Sequence, residues 1–266
     1  MSAAVIEVED LVAAYDGNIV LDGISFAVHA QEIFVVLGGS GCGKSTLLRH
    51  LLGLHKPAAG HIRIFGTDIT AVSEDELQPI RQRIGMVFQG AALFNSMTLA
   101  ENVSLPLEEY TDYPPRVIQD IVDWKLQLVE LAHARDYLPS QLSGGMKKRA
   151  AIARAMVMDP DMIFFDEHTT GLDPVMAAEL DRTILRLRDQ LKVTVVVVTH
   201  DMTSIRRIAD RGIMIADGKI VAQGTIREME QSSDARVVNF FMRHDEGARR
   251  RGAPAASISG RSIHGH

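Results

Sequence analysis

A chain of 266 residues, 46% hydrophobic and 23% charged, has the make-up of an ordinary globular protein and is long enough for one large domain or a domain with a subdomain. No apolar run approaches the roughly 18 residues that span a bilayer, and the N-terminal MSAAVIEVED has neither the basic nor the apolar region of a secretory signal, so any service to a membrane is expected from the cytoplasm through a partner. The lone Cys42 excludes an internal disulfide framework and a cysteine-based zinc site, and the net charge of −6 argues against general nucleic-acid binding.

The first part of the chain is strand-rich. Ile24, Phe26 and Val28 alternate with Ser25 and Ala27, the period of a half-buried strand. Glu32 to Leu37 is short, apolar and followed by glycines, which predicts a buried strand. A glycine-rich loop then leads into a helix from about Lys44 to Leu54, and a strand is expected over His61 to Phe65. Ser73 with Glu76 three residues on is a capping box that opens a helix to about Arg83, and Gly85 to Phe88 is again strand-like. From about Thr98 to Met158 helical periodicity takes over, with Pro114 and Pro115 set before an amphipathic stretch from Val117 to Leu131. Two apolar strands follow, Met162 to Phe165 and Val193 to Thr199, with a helix between them starting near Asp173 and Pro174. Strands alternating with helices predict an α/β fold built on a mostly parallel sheet. The expected division is a core of residues 1–97 and 159–242, an inserted helical subdomain of residues 98–158, and a basic tail of residues 243–266. The tail carries five arginines against two acids and few large apolar residues; it reads either as a solvated segment or as a binder of a partner or of anionic lipid.

Three segments carry chemistry. Gly38-Gly39-Ser40-Gly41-Cys42-Gly43-Lys44-Ser45-Thr46 has the P-loop spacing between a buried strand and a helix. Its glycines let backbone amides curl toward phosphate oxygens, and the helix N-terminus adds partial positive charge. Lys44 supplies a full charge to the β and γ phosphates of ATP, and the Ser45 hydroxyl is placed to ligate Mg²⁺. Met162 to Phe165 ends in Asp166 and Glu167. At such a strand end Asp166 can hold Mg²⁺ through its water shell, and Glu167 can orient and deprotonate an attacking water. Ser143, Gly144 and Gly145 open the helical stretch after Leu142; Ser143 suits an N-cap, and two glycines at a helix start expose amides as a second anion site.

These segments, with Gly171-Leu172-Asp173-Pro174 and the valine strand ending in Thr199-His200, stand in the order found in ATP-binding-cassette ATPases, which the chain resembles from about Val5 to Met242. The resemblance implies a P-loop fold with a RecA-like core sheet, an antiparallel β subdomain and an inserted helical subdomain. It implies that two cassettes pack head to tail, so that Ser143, Gly144 and Gly145 of one close over the γ-phosphate held by the P-loop of the other. It makes Tyr15 the aromatic that stacks on adenine, Gln89 a glutamine that touches Mg²⁺ and water, His200 a γ-phosphate partner, and Asp173 an interface aspartate. One departure stands out. His168 follows Glu167 where the family usually has proline; it is expected to loosen the turn that aims Glu167 and to add a titratable group there.

Within the family, Gly90 to Leu107 and the run LSGGMKKRAAIARA are similar to the ATPases of Mla/Mce-type lipid transport systems. That narrower resemblance implies a homodimer, peripheral on the cytoplasmic face of the inner membrane. It would sit beneath MlaE-like permease subunits and, through them, serve an MCE-domain lipid-binding protein, with no nucleic acid involved. Other importers, for example of amino acids, differ little here, and a nucleotide-gated regulatory cassette is the alternative from another class; intact Glu167 and His200 favour hydrolysis. Leu93, Phe94 and Met97 read equally as core packing or as a groove for the permease. Cys42 reads equally as an inert spacer or as a reactive thiol beside Lys44.

Overall fold

A computed structural model describes residues 3–242, so the basic tail of residues 243–266 lies outside the described residues. Strands β1 (Ala4–Tyr15) and β2 (Asn18–His29) form a hairpin. Its two-residue turn, Asp16-Gly17, has positive φ at both positions, the twist that matches antiparallel strands. The fully buried β3 (Ile33–Gly38) feeds α1 (Lys44–Leu51). β4 (Ala59–Ile64) and β5 (Thr67–Asp68) follow, then α2 (Glu74–Gln82), opened by the Ser73–Glu76 capping box, and β6 (Ile84–Val87). Three helices come next: α3 (Leu99–Tyr110), α4 (Pro115–Leu128) and α5 (Gly144–Ala155), with two short 3-10 turns before α5. β7 (Met162–Asp166), α6 (Pro174–Leu191), β8 (Thr194–Val198), α7 (Met202–Ile208), β9 (Arg211–Ala216), β10 (Lys219–Gly224) and α8 (Ile226–Glu230) complete the numbered elements, and residues 235–242 are also helical.

The strands form two sheets. One is antiparallel, in the order β2-β1-β4-β5. The other runs β10-β9-β3-β8-β7-β6, parallel from β9 to β6 with β10 antiparallel at its edge. β3, β8 and most of β7 are buried on both faces, which is why they read as unbroken apolar runs and not as alternations. Alternate residues of one strand serve two cores. Phe34, Val36, Phe164, Val196 and Val198 pack with α1 and the antiparallel sheet, while Val35, Leu37, Ile163, Phe165 and Val197 pack with the helices of the other side.

Two helix ends differ from expectation for one reason. α1 stops at Leu51 because Gly53 takes φ +65 and the Leu54 amide turns back to the Arg49 carbonyl. α4 begins at Pro115 and stops at Leu128 because Glu130 takes φ +61 and the Leu131 amide returns to the Leu126 carbonyl.

Candidate active site

A cleft of about 790 Å³ opens at the carboxyl ends of the parallel strands, where ligands of open α/β sheets bind. β3 contributes Gly38, β6 leads to Gln89, β7 ends in Asp166 and Glu167, β8 leads to His200, and β9 contributes Met214 and Ala216. Gly39, Ser40, Gly41, Lys44 and Ser45 form the wall beside β3.

The two motif glycines are required by close approach. Gly38 has φ +148, and a Cβ there would stand 2.4 Å from the Ile215 carbonyl oxygen. Gly43 has φ +105, and a Cβ there would stand 2.5 Å from Leu21 Cδ2. Gly43 is the N-cap of α1, and no side chain among the described residues caps that helix end. Lys44 Nζ donates to the Gly38 and Gly39 carbonyls at 2.9 and 2.8 Å, folding the lysine back over its own loop.

Across the cleft, burial pushes the Asp166 carboxyl up, and the neighbouring Glu167 charge pushes it further, against the pull of Lys44 and Lys148. That crowding of negative charge is what a cation would relieve. Ser45, Gln89 and Asp166 line the same cleft and offer oxygen ligands, the donor type a hard divalent cation prefers. No cluster of three His, Cys, Asp or Glu side chains fit for a metal occurs among the described residues. Glu167 sits at φ +50, a conformation that costs a non-glycine residue on the order of 1–3 kcal/mol. His200 Nδ1 lies 2.9 Å from its carboxylate, and the Thr170 hydroxyl donates to it at 3.2 Å. His168, expected to loosen this turn, is instead fully buried and hydrogen-bonded to Asp181.

The remaining expected residues lie outside this cleft. Tyr15, at the end of β1, is half-exposed and meets His50 and His55 edge-on, with ring centroids 6.5 and 5.9 Å away. Cys42 lines a neighbouring hollow with Ile19, Val20 and Asp217, its Sγ 4.0 Å from Lys44 Nζ. The Thr46 carbonyl pairs with His50 Nδ1. Ser143 caps α5, accepting from the Met146 amide, and Gly144 and Gly145 are its first residues. Asp173 caps α6, accepting from the Val175 and Met176 amides.

Two contributions escaped the sequence reading. Lys148 on α5 is buried and donates to the Gln89 and Glu167 carbonyls, bridging the segment after β6 to the end of β7. Its helical spacing was the available signal, since it shares a face with buried Gly145, Ala151 and Ile152. Arg236, Asn239 and Phe240, on the helical residues 235–242, also line the cleft; no motif marks them.

A second groove, about 620 Å³, runs between the core and α3. Phe88, Phe94, Pro106 and Tyr110 line it beside Arg81 and Arg154, and Phe94 is 53% exposed. Leu93 packs against the core, so of the residues that read either way Phe94 faces the groove and Leu93 the interior.

The family described as ABC transporter matches residues 21–170. The chain is 40% identical over 255 residues to the Intermembrane phospholipid transport system ATP-binding protein MlaF of Haemophilus influenzae, covering 96% of this chain and 97% of that protein. It is 41% identical over 237 residues to the "Probable ribonucleotide transport ATP-binding protein mkl" of Mycobacterium leprae, covering 89% of this chain and 68% of that protein. Among solved structures it resembles the dimeric post-hydrolysis state of the cassette MJ0796 bound to ADP and Pi, with a TM-score of 0.76 and 30% identity over 84% of this chain and 99% of that one.

Proposed function

The chain belongs to the ABC transporter family as an ATP-hydrolysing cassette, and from that premise we propose that it energises phospholipid movement across a bacterial cell envelope from the cytoplasmic face of the inner membrane. The observation that carries the cargo assignment is the 40% identity with the Haemophilus influenzae phospholipid-system protein over nearly the full length of both chains.

The gathering of six groups in one cleft supports the division of labour. Lys44 exchanges its bonds to the Gly38 and Gly39 carbonyls for the β and γ phosphates of ATP. Gly38 to Thr46 wrap the phosphates, with Cys42 as a spacer of that loop, and Tyr15 stacks on adenine. Ser45, Gln89 and Asp166 would hold Mg²⁺, which would neutralise charge on the phosphate oxygens. Glu167 takes the proton of the attacking water, a role its carboxylate is free to fill once His200 turns from it toward the γ-phosphate. Ser143, Gly144 and Gly145 lie outside their own cleft, which suits a site completed by a second copy, with Asp173 at the contact. The groove around Phe94 receives a helix of the permease, an MlaE-like subunit that passes lipid to an MCE-domain protein.

The test is reconstitution. The chain and its copurifying membrane subunit are placed in liposomes, and ATP-dependent transfer of a labelled phospholipid to an acceptor is followed. Transfer that requires ATP and stops in Glu167→Gln supports the assignment. ATP-driven uptake of an amino acid or ribonucleotide, with no lipid transfer, would overturn it.

A further inference from the structure

We propose that His168, held by Asp181 and Ser204, is a positioning residue that fixes the backbone turn aiming Glu167 and ties that turn to α6 and α7. The inference rests on the reading of Glu167 as the base.

His168 and Asp181 are both fully buried. His168 Nε2 lies 3.1 Å from Asp181 Oδ1 and 3.3 Å from Ser204 Oγ. The Ser204 hydroxyl donates to the same Oδ1 at 2.5 Å, and Arg207 Nη1 donates to Oδ2 at 2.5 Å. The bonding pattern assigns the protons. Ser204 has one hydrogen, and it goes to Asp181, so its oxygen can only accept from the imidazole. His168 therefore carries its proton on Nε2, shared between Ser204 and Asp181. The other nitrogen, Nδ1, is buried with no hydrogen-bond partner among the described residues.

That arrangement is poor packing. A buried unpaired nitrogen is unfavourable, and an apolar residue of similar size would avoid it. What the network supplies is connection. Its members sit one residue past Glu167, in the middle of α6, and on α7. Asp173 caps the start of α6, and α7 follows directly on His200 and Asp201. Three separate segments that carry chemistry are thus joined behind the cleft by one carboxylate. The turn needs such a restraint. Glu167 holds a left-handed backbone at φ +50, which persists in a non-glycine residue only when its surroundings over-determine it. The Glu167 amide to Val198 carbonyl bond, 2.8 Å, anchors one side; the imidazole anchors the other. Proline would impose its restraint through a covalent ring. Here hydrogen bonds impose it, and they move with α6 and α7.

A double-mutant cycle tests the proposal, because residues that act through one another are non-additive. Single turnovers of radiolabelled ATP are measured for His168→Ala alone and in Glu167→Gln. The expected result for His168→Ala is a fall in kcat on the order of tenfold to a hundredfold, the scale of a slightly misplaced catalytic group, with KM for ATP little changed. In Glu167→Gln the same substitution should alter the residual rate by less than about twofold. His168→Pro should recover part of the loss by restoring a restraint. An equal loss in both backgrounds makes His168 a structural residue only and overturns the proposal. Wild-type turnover in Glu167→Gln overturns the base assignment, and the proposal with it. If His168→Ala does not fold, Ser204→Ala, which deletes one hydroxyl, is run through the same cycle under the same criteria.

Discussion

At the scale of single residues, the cleft brings charges of both signs close together. Asp166 and Glu167 crowd each other, and Lys44 is bonded to carbonyls of its own loop. Glu167→Gln keeps the shape and removes the basic carboxylate, so turnover should fall by about 10² to 10⁴. ATP binding should persist, because Lys44, Ser45 and Asp166 remain; phosphate release beside equilibrium ATP binding checks both halves. Cys42 is half-buried beside Lys44. Alkylation by a maleimide should block hydrolysis, and saturating MgATP should slow the alkylation; equal rates with and without nucleotide would count against this. The phosphate loop and the Asp166-Glu167 pair were legible because apolar runs that stop mark the strand ends beside them, whereas Gln89 and His200 came from the family resemblance. Arg236 was not legible, and of Lys148 only its place on a buried helix face was. A cation on a helix carries no mark of which carbonyl it will meet across the fold, and the bond from Lys148 to Gln89 joins residues 59 positions apart.

At the scale of elements, legibility followed whether a local signal matched the local geometry. The Ser73 capping box and the valine strand formed where they were expected, because the side chains that mark them are the ones that satisfy the backbone. The two helix ends separate the cases. α1 stops just before Gly53, a glycine in the left-handed conformation and so a visible stop, short of the Leu54 that the apolar pattern predicts. α4 ends on Glu130 in the same conformation, where sequence offers nothing, because glutamate does not ordinarily stop a helix. Arg186 and Arg149 hold the Glu130 carboxylate at 3.2 and 3.6 Å, an attraction set by distant parts of the chain. Gly53→Ala should therefore lower stability by roughly 1 kcal/mol or more, since alanine is strained at φ +65 and its Cβ would stand 2.7 Å from Leu77 Cδ2. Urea denaturation with an unchanged slope checks this.

At the scale of the whole molecule, the groove beside α3 is where an exposed aromatic can be changed without disturbing the fold. Phe94 is 53% exposed, so Phe94→Asp should fold and bind ATP normally. With a permease helix in the groove it would replace an apolar contact by a desolvated charge, and copurification with the membrane subunit should be lost. Normal assembly of the variant would place the contact elsewhere. The sheet order has a consequence for how the protein is made. β3, which carries the phosphate loop, has as its neighbours β8 and β9, so Ile33 pairs with Val195 and Gly38 with Ile215. A chain leaving the ribosome thus completes its phosphate loop early and must wait for most of its remaining length before either flanking strand exists. Closing such distant pairings is slow. During synthesis and refolding, nucleotide capture should be among the last properties acquired, well after helix content has risen, and until then the apolar β3 is a segment that a chaperone would find exposed.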